Sequence, residues 1–266
     1  MKNDIFELDR QLRDAEDRFK IKLDSYYNKL EKSVLSQVSR YKKESKIVIP
    51  KSIEDGLANL FKGYFKEIDK ISTKITKQEL LGSLSKVDDK EIADIKTDKR
   101  KKYNIIYAKK LADRQYRQYL EQIKSLLGQA IDDNNEISVK ELKNLVKQKT
   151  KSYKNLRISS TSETESNRVA NDSRKEIFKE AGIKAIKFKA VIDMRTSKIC
   201  LSRNNVIISL KSKYLKWFLP PLHVHCRSYI KAVEIDKDSK LTSEQKIKEI
   251  LRTTNANPTR VVMRIK

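Results

Sequence analysis

Glycine and proline are scarce in this chain of 266 residues, at five and four. So few chain breakers argue against a turn-rich β architecture and leave long helices as the simplest outcome. There are only two cysteines, two histidines and one tryptophan. Two cysteines exclude a disulfide-stapled scaffold. The opening MKNDIFELDRQLRD is charged from its second residue, which does not fit a signal peptide. No stretch approaches the roughly 20 apolar residues of a membrane span. The expectation is a protein made and used in a cytoplasm, or packed into something assembled there.

Charge is abundant. Charged residues make up 36% and hydrophobic residues 38%, and 60 Lys and Arg against 36 Asp and Glu give a net charge of +24. A chain this basic binds polyanions at low salt. A solvated lysine-rich surface and a true nucleic-acid contact both fit that charge.

Ile5, Leu8, Leu12, Ala15, Phe19 and Tyr26 follow a heptad spacing that shifts near Leu23, Leu30 and Val34, which predicts an amphipathic helix. Pro50 ends that element, and Ser52 with Asp55 predicts the cap of a second helix. Its apolar face carries Leu57, Leu60, Phe61, Tyr64, Phe65, Ile68, Ile71 and Ile75. Residues 82–100 suggest a loop with one short helix. A third helix runs through Tyr103, Ile106, Tyr107, Leu111, Tyr116, Leu120, Ile123, Leu127 and Ile131, and its tyrosines suit helix packing better than base stacking. DDNNEIS is a turn without the glycine and spacing of a calcium loop. Ser138 and Glu141 form a capping box for a short fourth helix. A fifth, from Ser160 to Ala181, stops at Gly182.

The period then changes to two. Ile186, Phe188, Ala190 and Ile192 alternate with Lys187, Lys189 and Val191, which predicts a strand. Asn204 and Asn205 suit a turn, and VIISL and SYIKAV are two further strands. The tail holds one helix, TSEQKIKEILR, and a basic extension ending RVVMRIK. The fold class is therefore mainly α, with an elongated helical body and a small α+β C-terminal module built on a short hairpin. The expected division is 1–155, 156–235 and 236–266.

LPPLHVHCRSYI gathers two of the four prolines, both histidines and one cysteine. His223 and Cys226 are three apart, a spacing that brings two ligands from one turn. Cys200 arrives from a separate turn. These are three ligands of a tetrahedral zinc site, with His225 or Asp193 as the fourth. A buried cysteine pair with a hydrogen-bonded histidine is the alternative. A Cys–His nucleophile would need an oxyanion hole, which no glycine-rich turn supplies. A metal-dependent nuclease built on Asp193, His223 and His225 is a further alternative, and no catalytic residue is assigned. Arg227 is placed to pair with Asp193.

The series Ile192-Asp193-x-Arg195-Thr196-x-x-x-Cys200, a hairpin, then Pro220-Pro221-Leu222-His223-x-x-Cys226-Arg227 resembles the C-terminal module of the phage Mu F-like head morphogenesis proteins. Upstream, Thr164, Glu165, Arg168, Asn171 and Arg174 match that family's TE-x-x-R-x-x-N-x-x-R helix, ahead of Gly182 and Ile183. The resemblance covers about residues 157–235. It departs where the family has cysteine and this chain has Ser197 and Ser228, and where Asn204 and Asn205 replace a turn glycine. The resemblance implies a minor capsid protein of a tailed bacteriophage, not an enzyme. Such a protein joins the procapsid in the bacterial cytoplasm through the portal protein, acts in DNA packaging or delivery, and ends in the virion. It would contact other capsid proteins and touch double-stranded DNA without reading sequence. A general basic nucleic-acid-binding protein with a zinc-knuckle-like end is the competing reading.

Overall fold

The heptad-like spacing of the first segment yields α1 (Lys2–Leu35) in the computed structural model, which describes residues 2–83, 92, 95, 98–236 and 240–254. Ala15, Phe19, Leu23, Tyr26, Leu30 and Val34 are all buried, as their spacing requires. A short α2 (Val38–Glu44) follows, ending at Ser45 in the left-handed region. Helix α3 (Lys51–Ser83) begins two residues earlier than expected. Its first turn closes on the Pro50 carbonyl, so Ser52 sits inside the helix and is not the cap. Leu57, Phe61, Tyr64, Phe65, Ile68 and Ile75 are buried, while Leu60 and Ile71 lie at the edge of the apolar face.

Helix α4 (Asp98–Asp133) contains the predicted third helix. Tyr107, Leu111, Tyr119, Ile123 and Leu127 are buried, but Ile106 is exposed. The short helix expected within 82–100 falls mostly outside the described residues, as does the basic end of the tail.

The next two expected helices are one element. The Ser138–Glu141 capping box forms: the Glu141 carboxylate accepts from the Ser138 N–H at 2.8 Å, and Ser138 Oγ accepts from the Glu141 N–H at 3.2 Å. The helix it starts, α5 (Val139–Glu180), runs for 42 residues without a break. No proline or glycine interrupts that stretch, so nothing ends it before Gly182. There the Ile183 N–H reaches the Phe178 carbonyl and the Gly182 N–H reaches Lys179, a Schellman closure with Gly182 at φ 70°.

Strands β1 (Ala185–Lys189), β2 (Ile207–Ser209) and β3 (Tyr229–Val233) form an antiparallel sheet in the order β2-β1-β3. Ile186 lies opposite Ile208 and Ala232, and Phe188 opposite Ile230. The strand ends at Lys189, so Ile192 is not part of it and is exposed. Between β1 and β2 lies α6 (Lys198–Arg203), and α7 (Glu244–Thr253) is capped by Ser243.

The chain divides into two compact units, each discontinuous in sequence. One comprises 17–64 and 105–162, the other 1–16, 65–104 and 163–266. The expected boundary at residue 155 lies inside α5, because the long helices contribute residues to both units. In the first, Phe19 stacks on Tyr64 at 3.9 Å, and Tyr27, Tyr119 and Tyr153 pack against one another. Burial raises the pKa of all three tyrosines, Tyr119 to about 12. Their hydroxyls are satisfied within the core, Tyr119 by Thr150 and Tyr153 by the Gln115 carbonyl. In the second unit, Ile177, Phe178, Ile186, Ile208, Phe218 and Ile230 form a core under the sheet.

Candidate metal centre

After β1 the chain enters a loop that closes on itself. Thr196 Oγ1 accepts from the Asp193 N–H at 2.7 Å and donates to the Val191 carbonyl at 2.6 Å. The Asp193 carboxylate accepts from the Arg195 N–H at 2.8 Å and takes a bidentate fork from Arg227, both bonds at 2.6 Å. That pairing is the one the sequence suggests. It engages Asp193 as a tie between two chain segments, and Arg227 holds the carboxyl well below the usual carboxylate range.

Ser197 then caps α6, accepting from the Cys200 N–H at 3.2 Å. Cys200 thus sits on a short helical turn, separate from the segment that carries His223 and Cys226. The facing segment starts from a cis peptide between Pro220 and Pro221. It then turns so that the Cys226 N–H reaches the His223 carbonyl at 3.2 Å. Phe188, Ala190, Leu222, Cys200 and Cys226 form a small apolar core, so both thiols are buried.

Three of the expected ligands converge. Cys200 Sγ lies 3.1 Å from His223 Nε2 and 3.7 Å from Cys226 Sγ, and the three ligand atoms all fall within 4.8 Å of one another. With metal–sulfur bonds of about 2.3 Å, two thiolates of a tetrahedral site stand about 3.8 Å apart, so the sulfur pair already has that spacing. The trio fits a metal ion. No further His, Cys, Asp or Glu among the described residues joins it. His225, two residues from His223, is directed elsewhere. Its Nδ1 meets the Glu163 carboxylate at 2.7 Å, and its N–H donates to Thr164 Oγ1 at 3.1 Å.

The electrostatics centre on one sulfur. The Cys226 thiol, His223, and the hydroxyls of Ser197 and Ser228 all hydrogen-bond Cys200 and pull its pKa down, against the opposing effect of burial. The same contact, with burial, pushes the Cys226 thiol up. The Cys200 contact raises His223, whose Nδ1 donates to the Val224 carbonyl at 2.8 Å. Cys200 Sγ is thus the hub of the cluster, in contact with both the His223 ring and the Cys226 thiol.

Side chains of α5 fix this knuckle by its backbone. Asn171 Oδ1 accepts from the Ile230 N–H at 3.0 Å, and its Nδ2 points to the Ser228 carbonyl at 3.3 Å. Asn167 donates to the same carbonyl at 2.8 Å. Arg174 Nη1 donates to the Ile230 carbonyl at 2.9 Å while its Nη2 pairs with Glu79 at 2.6 Å. Arg168 stays within the helix layer, pairing with Glu165 and Asp172. Below, the buried Arg203 donates to the Trp217 and Ile199 carbonyls and to Thr254.

Asn167, Glu163 and Arg203 carry this framework without having stood out in the sequence. Asn167 lies four residues before Asn171, on the same helix face, and that spacing was the available signal. No family model, curated protein or solved structure matches this chain.

Proposed function

We propose that the protein is a minor head protein of a tailed bacteriophage, a structural component that associates with the portal and other capsid proteins during procapsid assembly and DNA packaging, and remains in the virion. One observation carries this reading. Side chains of the first motif segment, 164–174, engage the backbone of the second, 223–230. Thr164, Asn171 and Arg174 hold the N–H of His225 and the backbone of Ser228 and Ile230. Motifs so engaged support a rigid module rather than a catalytic site. The sequence resemblance, which rests on these same residues, supplies the biological setting.

Within the module we assign zinc to Cys200, His223 and Cys226. Two thiolates and an imidazole suit that metal, which would supply structural cross-linking and not chemistry. Ser197 and Ser228, where the resembling family has cysteine, lie against Cys200. The site is therefore poorer in sulfur, and its metal would be held more weakly.

The test is co-purification with procapsids assembled without DNA, before and after a high-salt wash. Retention on empty particles at high salt is the expected result, because protein contacts hold the chain. Loss with salt, or association only with DNA-filled particles, replaces this reading with that of a general basic nucleic-acid-binding protein, which the net charge of +24 favours.

A further inference from the structure

Elsewhere in this chain several cations on helices are matched by acids one turn away. Lys20 pairs with Asp17, Arg40 with Glu44, Arg117 with Asp113 and Lys248 with Glu244. The first half of α5 breaks that habit. From Leu142 to Ser162 there is no acidic residue, while Lys143, Lys147, Lys149, Lys151, Lys154 and Arg157 all fall in this stretch. Lys140, Lys143, Lys147 and Lys151 are spaced by three, four and four residues. At about 100° per residue they occupy one arc of the helix, roughly 80° wide and about 16 Å long. Lys140, Lys147 and Lys151 are exposed and Lys143 is half-buried. Among the described residues none of these four makes an ion pair with a carboxylate. Lys42 of α2 adds a cation at the start of the row, donating to the Ile137 carbonyl at 2.6 Å. At its far end Lys154 is tied to Asn28 and Asp24.

Like charges at i and i+4 destabilise a helix. Lys143, Lys147 and Lys151 repel one another along the row, with no acid between Leu142 and Ser162 to offset it. Such a row gains its counter-charge from outside the chain. A row of ammonium groups along one helix face complements a row of phosphates, and duplex DNA carries about one charge per 1.7 Å of its axis. Single strands are the poorer match. Proteins that hold them use exposed aromatic rings to stack bases, and the one aromatic residue of this stretch, Tyr153, is buried in the tyrosine core.

We infer that the Lys140–Lys143–Lys147–Lys151 face of α5 is the surface through which this protein contacts double-stranded DNA, along the phosphate backbone and without sequence preference. The choice of DNA as the polyanion rests on the proposed head-protein role; the location of the surface rests on the charge pattern alone.

The test measures binding of the full-length protein to a random-sequence duplex by fluorescence anisotropy over a range of salt. Three proteins are compared: wild type, the triple variant Lys140→Gln, Lys147→Gln, Lys151→Gln, and a control triple Lys29→Gln, Lys109→Gln, Lys124→Gln. The control removes the same charge from scattered exposed positions. Glutamine has nearly the helix propensity of lysine, so both variants fold, and circular dichroism checks this. The row variant is expected to bind at least about tenfold more weakly and to flatten the slope of log K against log salt by about 2 to 3, since each lost phosphate contact contributes about 0.9. Lysine-to-arginine replacement at the same three positions retains the slope. Equal losses in row and control variants, or no loss in the row variant, overturn the inference. Tighter binding to a single strand than to the duplex replaces its DNA form. Procapsid co-purification of the row variant reports separately on the head-protein reading. Retention on empty procapsids alongside lost DNA binding upholds both proposals, whereas a wild type absent from procapsids that still binds duplex through the row removes only the former.

Discussion

Asn171 holds Ile230 by its main chain: Oδ1 accepts the Ile230 N–H at 3.0 Å, in a site where both residues are buried. Replacing Asn171 by Ala leaves a buried N–H without its acceptor. The expected cost is about 1–3 kcal/mol, read from urea denaturation. The amide of Ile230 should lose protection against hydrogen exchange before those of α5 do. Asn167→Ala should cost less, because Asn171 Nδ2 still points at the Ser228 carbonyl.

Cobalt(II) titration probes the thiol pair. The expected signal is a thiolate-to-metal absorption band that saturates at one equivalent and vanishes in Cys226→Ser. His225→Ala should leave it intact, since the His225 ring is directed to Glu163. A band lost in His225→Ala would place that ring in the ligand set after all. No band at any cobalt concentration would mean that the knuckle stands on hydrogen bonds alone.

Asp193 gives the loop an acid-side dependence whose sign is fixed by its depressed pKa. The contribution of the Asp193–Arg227 fork is fully present above the ordinary aspartate pKa of about 3.9 and is lost only as pH falls through the lower folded value. The loop should therefore remain closed at a pH where most aspartates are half-protonated. An NMR titration of the Asp193 carboxyl checks this, and an ordinary midpoint would show that the fork is not formed in solution. Asp193→Asn should remove the dependence and raise exchange at the Arg195 amide.

Gly182 sits at φ 70° with open space where a Cβ would lie, so Gly182→Ala tests backbone strain and little else. The expected loss is about 1–2 kcal/mol, seen as a lower thermal midpoint with unchanged secondary structure.

Much of this fold was legible because helices and strands announce themselves by period. The buried positions of α1 and α3, the Ser138 capping box, the Gly182 stop and all three strands follow from local spacing. The junction of two expected helices into α5 was missed because a long polar stretch, Lys147 to Ser160, hides its sparse buried residues Thr150 and Tyr153. The start of α3 was misplaced because a serine can cap but a preceding proline can begin the helix just as well. At the candidate site the convergence of Cys200, His223 and Cys226 was readable from residue type and spacing. The fate of His225 was not. Its ring is turned away by a backbone at φ 60° and by Glu163, a partner 62 residues distant in sequence. Long-range partners of that kind leave no local period to detect.

The small sheet has a property that follows from its two outer strands. On β3 the outward groups of Ile230 are taken by Asn171 and Arg174. On β2 the N–H and carbonyl of Ile207 are taken by Thr242, at 3.0 and 2.9 Å. An unpaired rim is a template on which another chain can add a strand, and here one position on each outer strand is already occupied by the protein's own groups. At Ile230 and Ile207, therefore, an added strand would have to displace those groups before it could pair.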